Sequence, residues 1–449
     1  MGSLAITGGL VVTMNPAGDE MEADVLVRDG RIAAVGSNLG PADDNLDARG
    51  CLVLPGFVQT HLHLCQTLFR GLADDMDVVQ WLKRRVWPLE QAHDARTIYD
   101  SARLGIAELL RGGTTCALTM ETFRHTESVF DAIVEMGLRA FGGKAMMDRR
   151  EPGTEMVAET TAESLEATLG LIGAYDGAGE GRLRYALCPR GSRNCTDELW
   201  QEVAALSRRH GLLIHTHAAE NEAQTRRLAS GGLRDVSYLH SVGATGPRSV
   251  LAHCIWVEPE EVDILADTST RVAHCPSCNL KLASGVARVP EMRARGVEVG
   301  LGADGAACNN NLDMFREMRL AALVHKPRLG AHALPAREVL EMATIGGARA
   351  LGIADSVGSL EAGKRADLIV LRREGLHVAP TDAGSVAGEV VYAHGASDVD
   401  CVVVDGRVLV RGGRLTESDE QEIVGRANES VRRLLARAGD AGVNRAATG

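Results

Sequence analysis

The stretch Cys51-Leu52-Val53-Leu54-Pro55-Gly56-Phe57-Val58-Gln59-Thr60-His61-Leu62-His63 contains the pattern that decides the fold. Its apolar residues predict a buried strand, Cys51–Val58, because a short apolar run is typical of strands that are covered on both faces. The run leads into two histidines with one residue between them. Alternate residues of an extended chain point to the same side, so both imidazoles can reach one ion.

Seven further apolar segments follow along the chain, with helical patterns between them. Eight strands, each followed by helical sequence, predict an α/β fold of the TIM type, a (β/α)8 barrel. An open doubly wound sheet is the competing fold, but no glycine-rich dinucleotide motif follows the first strand. The seven further segments are Thr114–Thr119, Arg139–Met146, Leu183–Cys188, Leu212–His217, Val250–Cys254, Arg271–Cys275 and Val297–Gly302.

Both ends of the chain contain short segments with strand patterns. Asp29-Gly30 and Asp405-Gly406 each lie between apolar runs, which is the pattern of a tight hairpin. We therefore expect residues 1–55 and 356–415 to form one small β-sandwich domain from both termini. The barrel is predicted to span residues 56–355, and residues 416–449 are predicted to form a C-terminal helix and tail.

The overall composition excludes several classes of function. A net charge of -12 and an aromatic content of 3% argue against a nucleic-acid partner. No run of eighteen apolar residues is present, which argues against a membrane span, and the first residues lack a signal-peptide pattern. Because the ten cysteines are dispersed along the chain, we expect a cytoplasmic protein with reduced thiols. The partner that we expect is a small molecule.

Residues that can bind metals or transfer protons recur at the ends of the predicted strands. In barrels of this type, the active site lies at the carboxyl ends of the strands. The fifth strand ends at His217, with Glu220 three residues further on, and the sixth and eighth strands lead to His253 and Asp304. Imidazole and carboxylate groups suit several divalent ions, zinc among them. Asp304 by itself indicates only a turn, but five strand ends carrying His or Asp predict a metal site.

One further motif stays open. Cys275-Pro276-Ser277-Cys278 is a Cys-x-x-Cys pattern, which can serve redox chemistry or bind zinc. No second cysteine pair or thioredoxin-like context accompanies it, so a loop at the barrel mouth is the favoured interpretation. The sequence does not assign roles to Cys275, Cys278 or the neighbouring His274.

As a set, these motifs resemble the amidohydrolase superfamily, and within it the branch of aminohydrolases and chlorohydrolases. The resemblance covers nearly the whole chain and includes Asn279–Gly285, Asp304–Asn310 and Gly358–Asp367. It implies one divalent ion, because strand four ends at Cys188-Pro189-Arg190 without the bridging lysine of two-metal relatives. The implied ion is Zn²⁺, with Fe²⁺ and Mn²⁺ as alternatives. The resemblance also implies a homo-oligomer. The metal ligands that it implies are His61, His63, His217 and Asp304.

Within this branch, the chain looks most like the deaminases of 5'-modified adenosines. The resemblance implies that Glu220 shuttles protons, that His253 polarises the water or the substrate, and that Asp304 takes part in catalysis. Two implied substrate contacts are Trp81 against the nucleoside and Glu90 at the ribose hydroxyls. At two further implied contacts this chain differs from the deaminases that it resembles. Lys144 replaces an arginine that can hold an amino-acid carboxylate, and Arg190 replaces a histidine that contacts the purine.

The resemblance predicts hydrolytic deamination of a purine nucleoside, which gives the inosine analogue and ammonia. The exchanges at Lys144 and Arg190 favour a small 5' group, as in 5'-deoxyadenosine, over S-adenosylhomocysteine. Cys278 also stands where a serine is common. The alternatives are an s-triazine amino- or chlorohydrolase, a guanine-type base deaminase, a cyclic amide hydrolase, and a non-catalytic barrel scaffold that has lost its metal.

Overall fold

The computed structural model describes residues 2–150, 158–381 and 384–440. In this part of the chain, eight parallel strands form a closed barrel with helices between them, which confirms the predicted TIM-type fold. Leu301 of the eighth strand pairs with Gln59 of the first and closes the barrel. The barrel strands are Phe57–His63, Thr114–Glu121, Arg139–Met146, Leu183–Pro189, Leu213–Ala218, Ser249–His253, Arg271–His274 and Val299–Leu301.

Side-chain caps fix where several helices begin. The Thr160 hydroxyl accepts a hydrogen bond from the Glu163 backbone N–H at 3.2 Å, and the Glu163 carboxylate accepts one from the Thr160 N–H at 2.8 Å. This reciprocal pair satisfies two donors that a helix start otherwise leaves free. The longer helices are Ala95–Arg111, Thr126–Met136, Thr161–Tyr175, Asp197–His210, Glu222–Ser230, Pro259–Asp267, Met314–Val324, Ala336–Ala343 and Glu420–Asp440. Shorter helical segments are Leu64–Phe69, Val78–Trp81, Leu82–Val86, Trp87–Ala92, Asp235–Ser241, Pro276–Lys281, Val289–Ala294, Ala306–Asn309, Lys326–Leu329, Ile345–Ala350, Val386–Tyr392 and Ala396–Asp398.

The first predicted strand is divided in the structure. Cys51–Pro55 belongs to the terminal sheet and Phe57–His63 to the barrel, so the prediction of one barrel strand over Cys51–Val58 was wrong. Gly56 lies at the junction, where a Cβ atom would lie 2.1 Å from the Thr115 hydroxyl oxygen. Only glycine allows so close an approach. The other predicted barrel strands differ from the observed ones by at most two residues at either end.

Strands from both termini form one hydrogen-bonded sheet, which has nine strands in the described residues. Cys51–Pro55 pairs with Leu368–Arg372 and so joins the two ends of the chain. Apolar side chains of both ends, such as Val25 and Val403, share a buried core. The residue numbers at which sheet and barrel divide stay a prediction. The other strands of the sheet are Leu4–Val12, Glu20–Arg28, Arg31–Gly36, Asp44–Asp47, Val399–Val404, Arg407–Arg411 and Arg414–Leu415.

The C-terminal helix Glu420–Asp440 packs against the helix Ala95–Arg111. Arg437 donates hydrogen bonds to the Ala92 carbonyl oxygen at 2.6 Å and to the Asp94 carboxylate at 2.7 Å. The predicted tail, residues 441–449, lies outside the described residues. Within those residues, none of the helices combines the length and apolar character that crossing a membrane requires.

A buried ionic cluster joins the amino end of the barrel to the terminal sheet. Arg139 opens the third barrel strand, and its guanidinium contacts the two Asp367 carboxylate oxygens at 2.7 and 3.0 Å. The same guanidinium lies 3.3 Å from the Asp405 carboxylate. Asp367 also accepts a hydrogen bond from the Asp405 backbone N–H at 2.8 Å. Bidentate pairing of this kind sets orientation as well as energy.

Replacing Arg139 by methionine leaves the buried Asp367 carboxylate without its cation, whereas Asp405 keeps the Arg365 guanidinium at 3.0 Å. We expect the free energy of unfolding to fall by about 3–5 kcal/mol, the usual effect of removing one partner from a buried pair. Urea unfolding of the purified protein measures it. The matched control is Arg49→Met, because Arg49 is 81% exposed and pairs with Asp47 at the surface, where about 0–1 kcal/mol is expected. Equal losses in the two variants would contradict the proposed role of the cluster.

Candidate active site

Imidazoles from three barrel strands meet the Asp304 carboxylate at the carboxyl end of the barrel. The Nε2 atoms of His61 and His63 lie 3.4 and 3.3 Å from Asp304 Oδ1. His217 Nε2 lies 3.3 Å from His63 Nε2, and His253 Nε2 lies 3.8 Å from Asp304 Oδ2. Nitrogen atoms of His61, His63 and His217 are all within 4.8 Å of one another. The structure therefore brings together the four residues implied as metal ligands.

Unusual backbone geometry aims two of these side chains. His253 and Asp304 have φ angles of 73° and 60°, in the left-handed region that residues other than glycine rarely adopt. Such strain is concentrated at functional sites. Gly302 allows the last strand to pass close to the first, because a Cβ atom there would lie 2.7 Å from the His61 carbonyl oxygen. Asp304 then pairs in parallel with Leu62 and turns its carboxylate towards the histidines.

Backbone carbonyls select which nitrogen of two histidines carries the proton. His63 Nδ1 lies 2.7 Å from the Met120 carbonyl oxygen, and His217 Nδ1 lies 2.6 Å from the Arg190 carbonyl oxygen. A carbonyl only accepts hydrogen bonds, so each Nδ1 must carry the hydrogen. The Nε2 lone pairs of both rings are then free for a metal ion. Metal-binding histidines in proteins usually have such a partner on the other ring nitrogen.

The tautomer of His61 is fixed through a second histidine. His215 Nδ1 lies 3.0 Å from the Val250 carbonyl oxygen and therefore carries the hydrogen, which leaves His215 Nε2 as an acceptor. His61 Nδ1 lies 2.7 Å from that nitrogen and must donate to it. The buried His61 Nε2 has no hydrogen-bond partner among the described residues. His215 is thus a packed, hydrogen-bonded histidine that fixes the tautomer of His61.

The protonation states of these groups fit a divalent cation. Burial lowers the pKa of His61 to about 4, and it lowers the pKa of His215 and of His217 well below 6.5. These imidazoles are neutral at pH 7. Neutral imidazoles and one carboxylate are ligands typical of zinc.

Glu220 and His253 lie beside these ligand candidates, and the His253 ring stacks on that of His217 with centroids 5.5 Å apart. A Glu220 carboxylate oxygen, a His253 ring nitrogen and Cys278 Sγ are within 4.8 Å of one another. His253 Nδ1 lies 2.9 Å from the Asn279 side-chain oxygen, so in the neutral ring the Nε2 lone pair faces Asp304. Burial raises the pKa of Glu220 above its ordinary value, although His253 opposes the shift. Glu220 and His253 both line a cavity of about 330 Å³.

Of the predicted substrate contacts, Trp81 and Arg190 line this cavity and Glu90 does not. The buried Glu90 carboxylate accepts hydrogen bonds from the Arg190 guanidinium at 2.7 and 3.2 Å and from Gln66 Nε2 at 2.9 Å. Both of its oxygens accept hydrogen bonds from these donors, so Glu90 fixes the position of Arg190. The implied contact of Glu90 with ribose hydroxyls stays a prediction.

Lys144 also lies away from the cavity. Its ammonium group is buried, 2.5 Å from the Glu159 carboxylate and 3.3 Å from the Ser164 hydroxyl. Glu159 neutralises the charge of Lys144. The structure therefore does not bring Lys144 together with the other predicted site residues.

Two buried glutamates that the sequence analysis missed support the loops of the site. The Glu121 carboxylate accepts hydrogen bonds from the backbone N–H groups of Leu64 and Cys65, which follow His63. Glu317 accepts one from Asn309 at 2.8 Å and one from the Ser277 N–H at 3.1 Å, and burial raises its pKa to about 7. An acid after the second strand was a readable signal for Glu121. Glu317 resembles any acid in the first turn of a helix.

Comparisons with known proteins agree with this geometry. Residues 52–409 match the amidohydrolase family. The chain is 40% identical over 436 residues to the 5'-deoxyadenosine deaminase of Methanothermobacter thermautotrophicus, covering 96% of this chain and 99% of that one. It is 38% identical over 406 residues to the 5-methylthioadenosine/S-adenosylhomocysteine deaminase of Moorella thermoacetica, covering 89% and 92% of the two chains.

The structural comparison leads to the same family. An adenosine deaminase from Xanthomonas campestris with bound zinc superposes with a TM-score of 0.90 at 30% identity, covering 96% of this chain and 98% of that one. The chain therefore belongs to the amidohydrolase family, and the predicted resemblance is confirmed. Membership makes it a hydrolytic enzyme.

Replacing His217 by alanine removes one of the three converging imidazoles. Loss of a residue that only supports a metal ligand lowers metal affinity by about 10–100-fold. We expect a larger fall for His217→Ala, and a fall within that range for His215→Gln. Metal analysis of purified protein and competition with a chelator measure both effects. The control is His240→Ala, because His240 is exposed and bonded to Thr245. A His217→Ala protein with unchanged affinity would remove His217 from the site.

Proposed function

We propose that this protein is a metal-dependent deaminase that hydrolyses a 5'-modified adenosine, with 5'-deoxyadenosine as the preferred substrate. The observation that carries the proposal is the grouping of Glu220, His253 and Asp304 around one end of a cavity, beside three histidines with converging lone pairs. The relatives named above, at 38% and 40% identity over most of their length, support the substrate class. Cytoplasmic location and a homo-oligomeric state stay predictions from the sequence.

The metal ligands in this proposal are His61, His63, His217 and Asp304, and the ion is zinc in preference to iron or manganese. When bound, such an ion supplies Lewis acidity that lowers the pKa of a water molecule from about 15.7 to roughly 7. The tautomers fixed by the Met120 and Arg190 carbonyls leave the Nε2 lone pairs available without any rearrangement.

Asp304 and His253 are placed to orient the attacking water. The ionised Asp304 carboxylate accepts the proton that the water loses, and its Oδ2 faces His253 Nε2 at 3.8 Å. Asn279 holds the His253 ring through Nδ1, so the ring cannot turn away. Two fixed acceptors set the direction of the nucleophile, and positioning of this kind lowers the entropic part of a barrier.

Glu220 moves the proton on the substrate side. In the protonated form, which burial favours, it gives a proton to the ring nitrogen next to the attacked carbon. It then returns a proton from the added hydroxyl group to the exocyclic amine. The carbon–nitrogen bond breaks, ammonia leaves, and the carbonyl of the inosine analogue forms. The proton that Asp304 took from the water then passes to Glu220, which restores both groups. One water molecule is consumed for each ammonia released.

The cavity wall suits a flat, partly polar ring. Trp81 and Trp87 both line it, and their indole N–H groups are buried without a hydrogen-bond partner among the described residues. Indoles offer apolar faces to a planar ring and one donor each to its polar edges. Arg190 adds a fixed guanidinium at the same wall.

An ammonia-release assay tests the proposed activity. The candidates are 5'-deoxyadenosine, methylthioadenosine, S-adenosylhomocysteine, adenosine, guanine and an aminotriazine. We expect the highest kcat/KM for 5'-deoxyadenosine, and a lower value for S-adenosylhomocysteine because Lys144 is paired with Glu159 away from the cavity. A preference for guanine or the triazine would replace the proposed substrate, and metal-loaded protein that releases no ammonia would contradict the proposal.

Replacing Glu220 by glutamine removes the proton carrier but keeps its size. We expect turnover to fall by about 10²–10⁴-fold, the usual contribution of general acid–base catalysis, with bound metal unchanged. Glu222→Gln is the matched control, because Glu222 is an acid on the following helix that pairs with Arg226 at the surface. Steady-state ammonia release and metal content measure both variants. A near-normal rate for Glu220→Gln would assign the proton transfer to another group.

A further inference from the structure

Two buried thiols lie next to the implied metal ligands and have no part in the proposed reaction. Cys278 lies in the helix Pro276–Lys281 after the seventh barrel strand, and Cys308 lies in the segment Ala306–Asn309 after the eighth. Both side chains are fully buried. Their Sγ atoms and a carboxylate oxygen of Asp304 are all within 4.8 Å of one another.

This pairing crosses between two loops and differs from the Cys-x-x-Cys motif in the sequence. Cys275 Sγ lies 3.8 Å from the Ala273 carbonyl oxygen and is not part of the group. Cys278 Sγ instead lies within 4.8 Å of Cys308 Sγ, which also lies 3.0 Å from the Gly305 carbonyl oxygen. The two sulfur atoms are therefore held as a pair by the loops that follow neighbouring strands.

The donor set and its spacing fit one soft cation. Two ligands at about 2.3 Å from an ion, the usual zinc–sulfur distance, lie at most about 4.6 Å apart, which is compatible with the limit of 4.8 Å that holds for these atoms. Thiolate sulfur favours soft ions, whereas magnesium and calcium prefer oxygen ligands. Cys278 Sγ is also within 4.8 Å of Glu220 and His253. Since both of those residues line the cavity, the thiols lie next to a route from solvent.

We propose that Cys278, Cys308 and Asp304 form a second cation site, selective for thiophilic divalent ions, beside the site of the three histidines. Binding replaces two S–H bonds by two sulfur–metal bonds and releases two protons to solvent, with no change of oxidation state. Asp304 is common to both sites. An ion bound by the thiols is therefore also coordinated by the carboxylate that orients the water. This inhibitory consequence rests on the proposed function, but the binding itself does not.

Cadmium is the probe, because cadmium–thiolate bonds absorb in the ultraviolet and report on sulfur ligands directly. The zinc-loaded wild-type protein is titrated with Cd²⁺, and bound cadmium and zinc are counted per chain after gel filtration. We expect about one additional cadmium ion, retention of zinc, and an absorption band from thiolate ligands. Cys278→Ser and Cys308→Ser should lose most of the band and bind cadmium at least about tenfold more weakly.

Cys275→Ser is the matched control, because it changes a buried thiol of the same loop that lies outside the group. It should keep the band and the affinity. Serine differs from cysteine only in carrying oxygen in place of sulfur, so the Cys278→Ser protein is expected to fold. Three outcomes would overturn the proposal: no thiolate band, a band that persists in both serine variants, or one-for-one exchange of cadmium for zinc.

Activity gives a separate readout. If the protein releases ammonia as proposed, Cd²⁺ should inhibit the wild type at concentrations that leave Cys278→Ser and Cys308→Ser active relative to their own cadmium-free rates. If no ammonia is released by any variant, the proposed function fails while the absorption and metal counts still decide the thiol site.

Discussion

The candidate metal site depends on hydrogen bonds from imidazoles to backbone carbonyls. The carbonyl oxygens of Met120 and Arg190 accept hydrogen bonds from the Nδ1–H groups of His63 and His217 and so fix their tautomers. The Val250 carbonyl does the same for His215, which in turn fixes His61. Without these acceptors the rings could rotate or carry the hydrogen on Nε2, and the lone pairs would not converge. Because the three acceptors lie on different barrel strands or immediately after them, closure of the barrel is what makes the ligand set.

The loops that complete the site are supported by buried polar groups instead of by apolar packing alone. Glu121 holds the turn after His63, and Glu317 joins the loop at Ser277 to Asn309. At the other end of the barrel, Arg139 links the barrel to the terminal sheet. Each of these charges has its partners within hydrogen-bond distance, as buried charges require. The hydrogen bonds that hold the loops at the carboxyl end of the barrel are therefore separate from the ion pairs that join its amino end to the terminal sheet.

Much of the fold could be predicted from the sequence, because barrel strands are apolar runs and helices have their own periodicity. The boundary between Cys51–Pro55 and Phe57–His63 could not, since strands of both domains have the same apolar character and only the close approach at Gly56 separates them. His61, His63, His217 and Asp304 were found because strand ends can be located along the chain. The pairing of Glu90 with Arg190, of Lys144 with Glu159, and of Cys278 with Cys308 joins residues from different elements. No local pattern encodes such contacts.

The main chain and the side chain of Arg190 have separate roles. Its carbonyl oxygen fixes His217, while its guanidinium forms part of the cavity wall. Every amino acid supplies the same carbonyl, so the side chain at this position can diverge during evolution without disturbing His217, the candidate metal ligand beside it. Substrate preference and cofactor retention are thereby separated within a single residue, which is one physical route by which a common scaffold diversifies its chemistry.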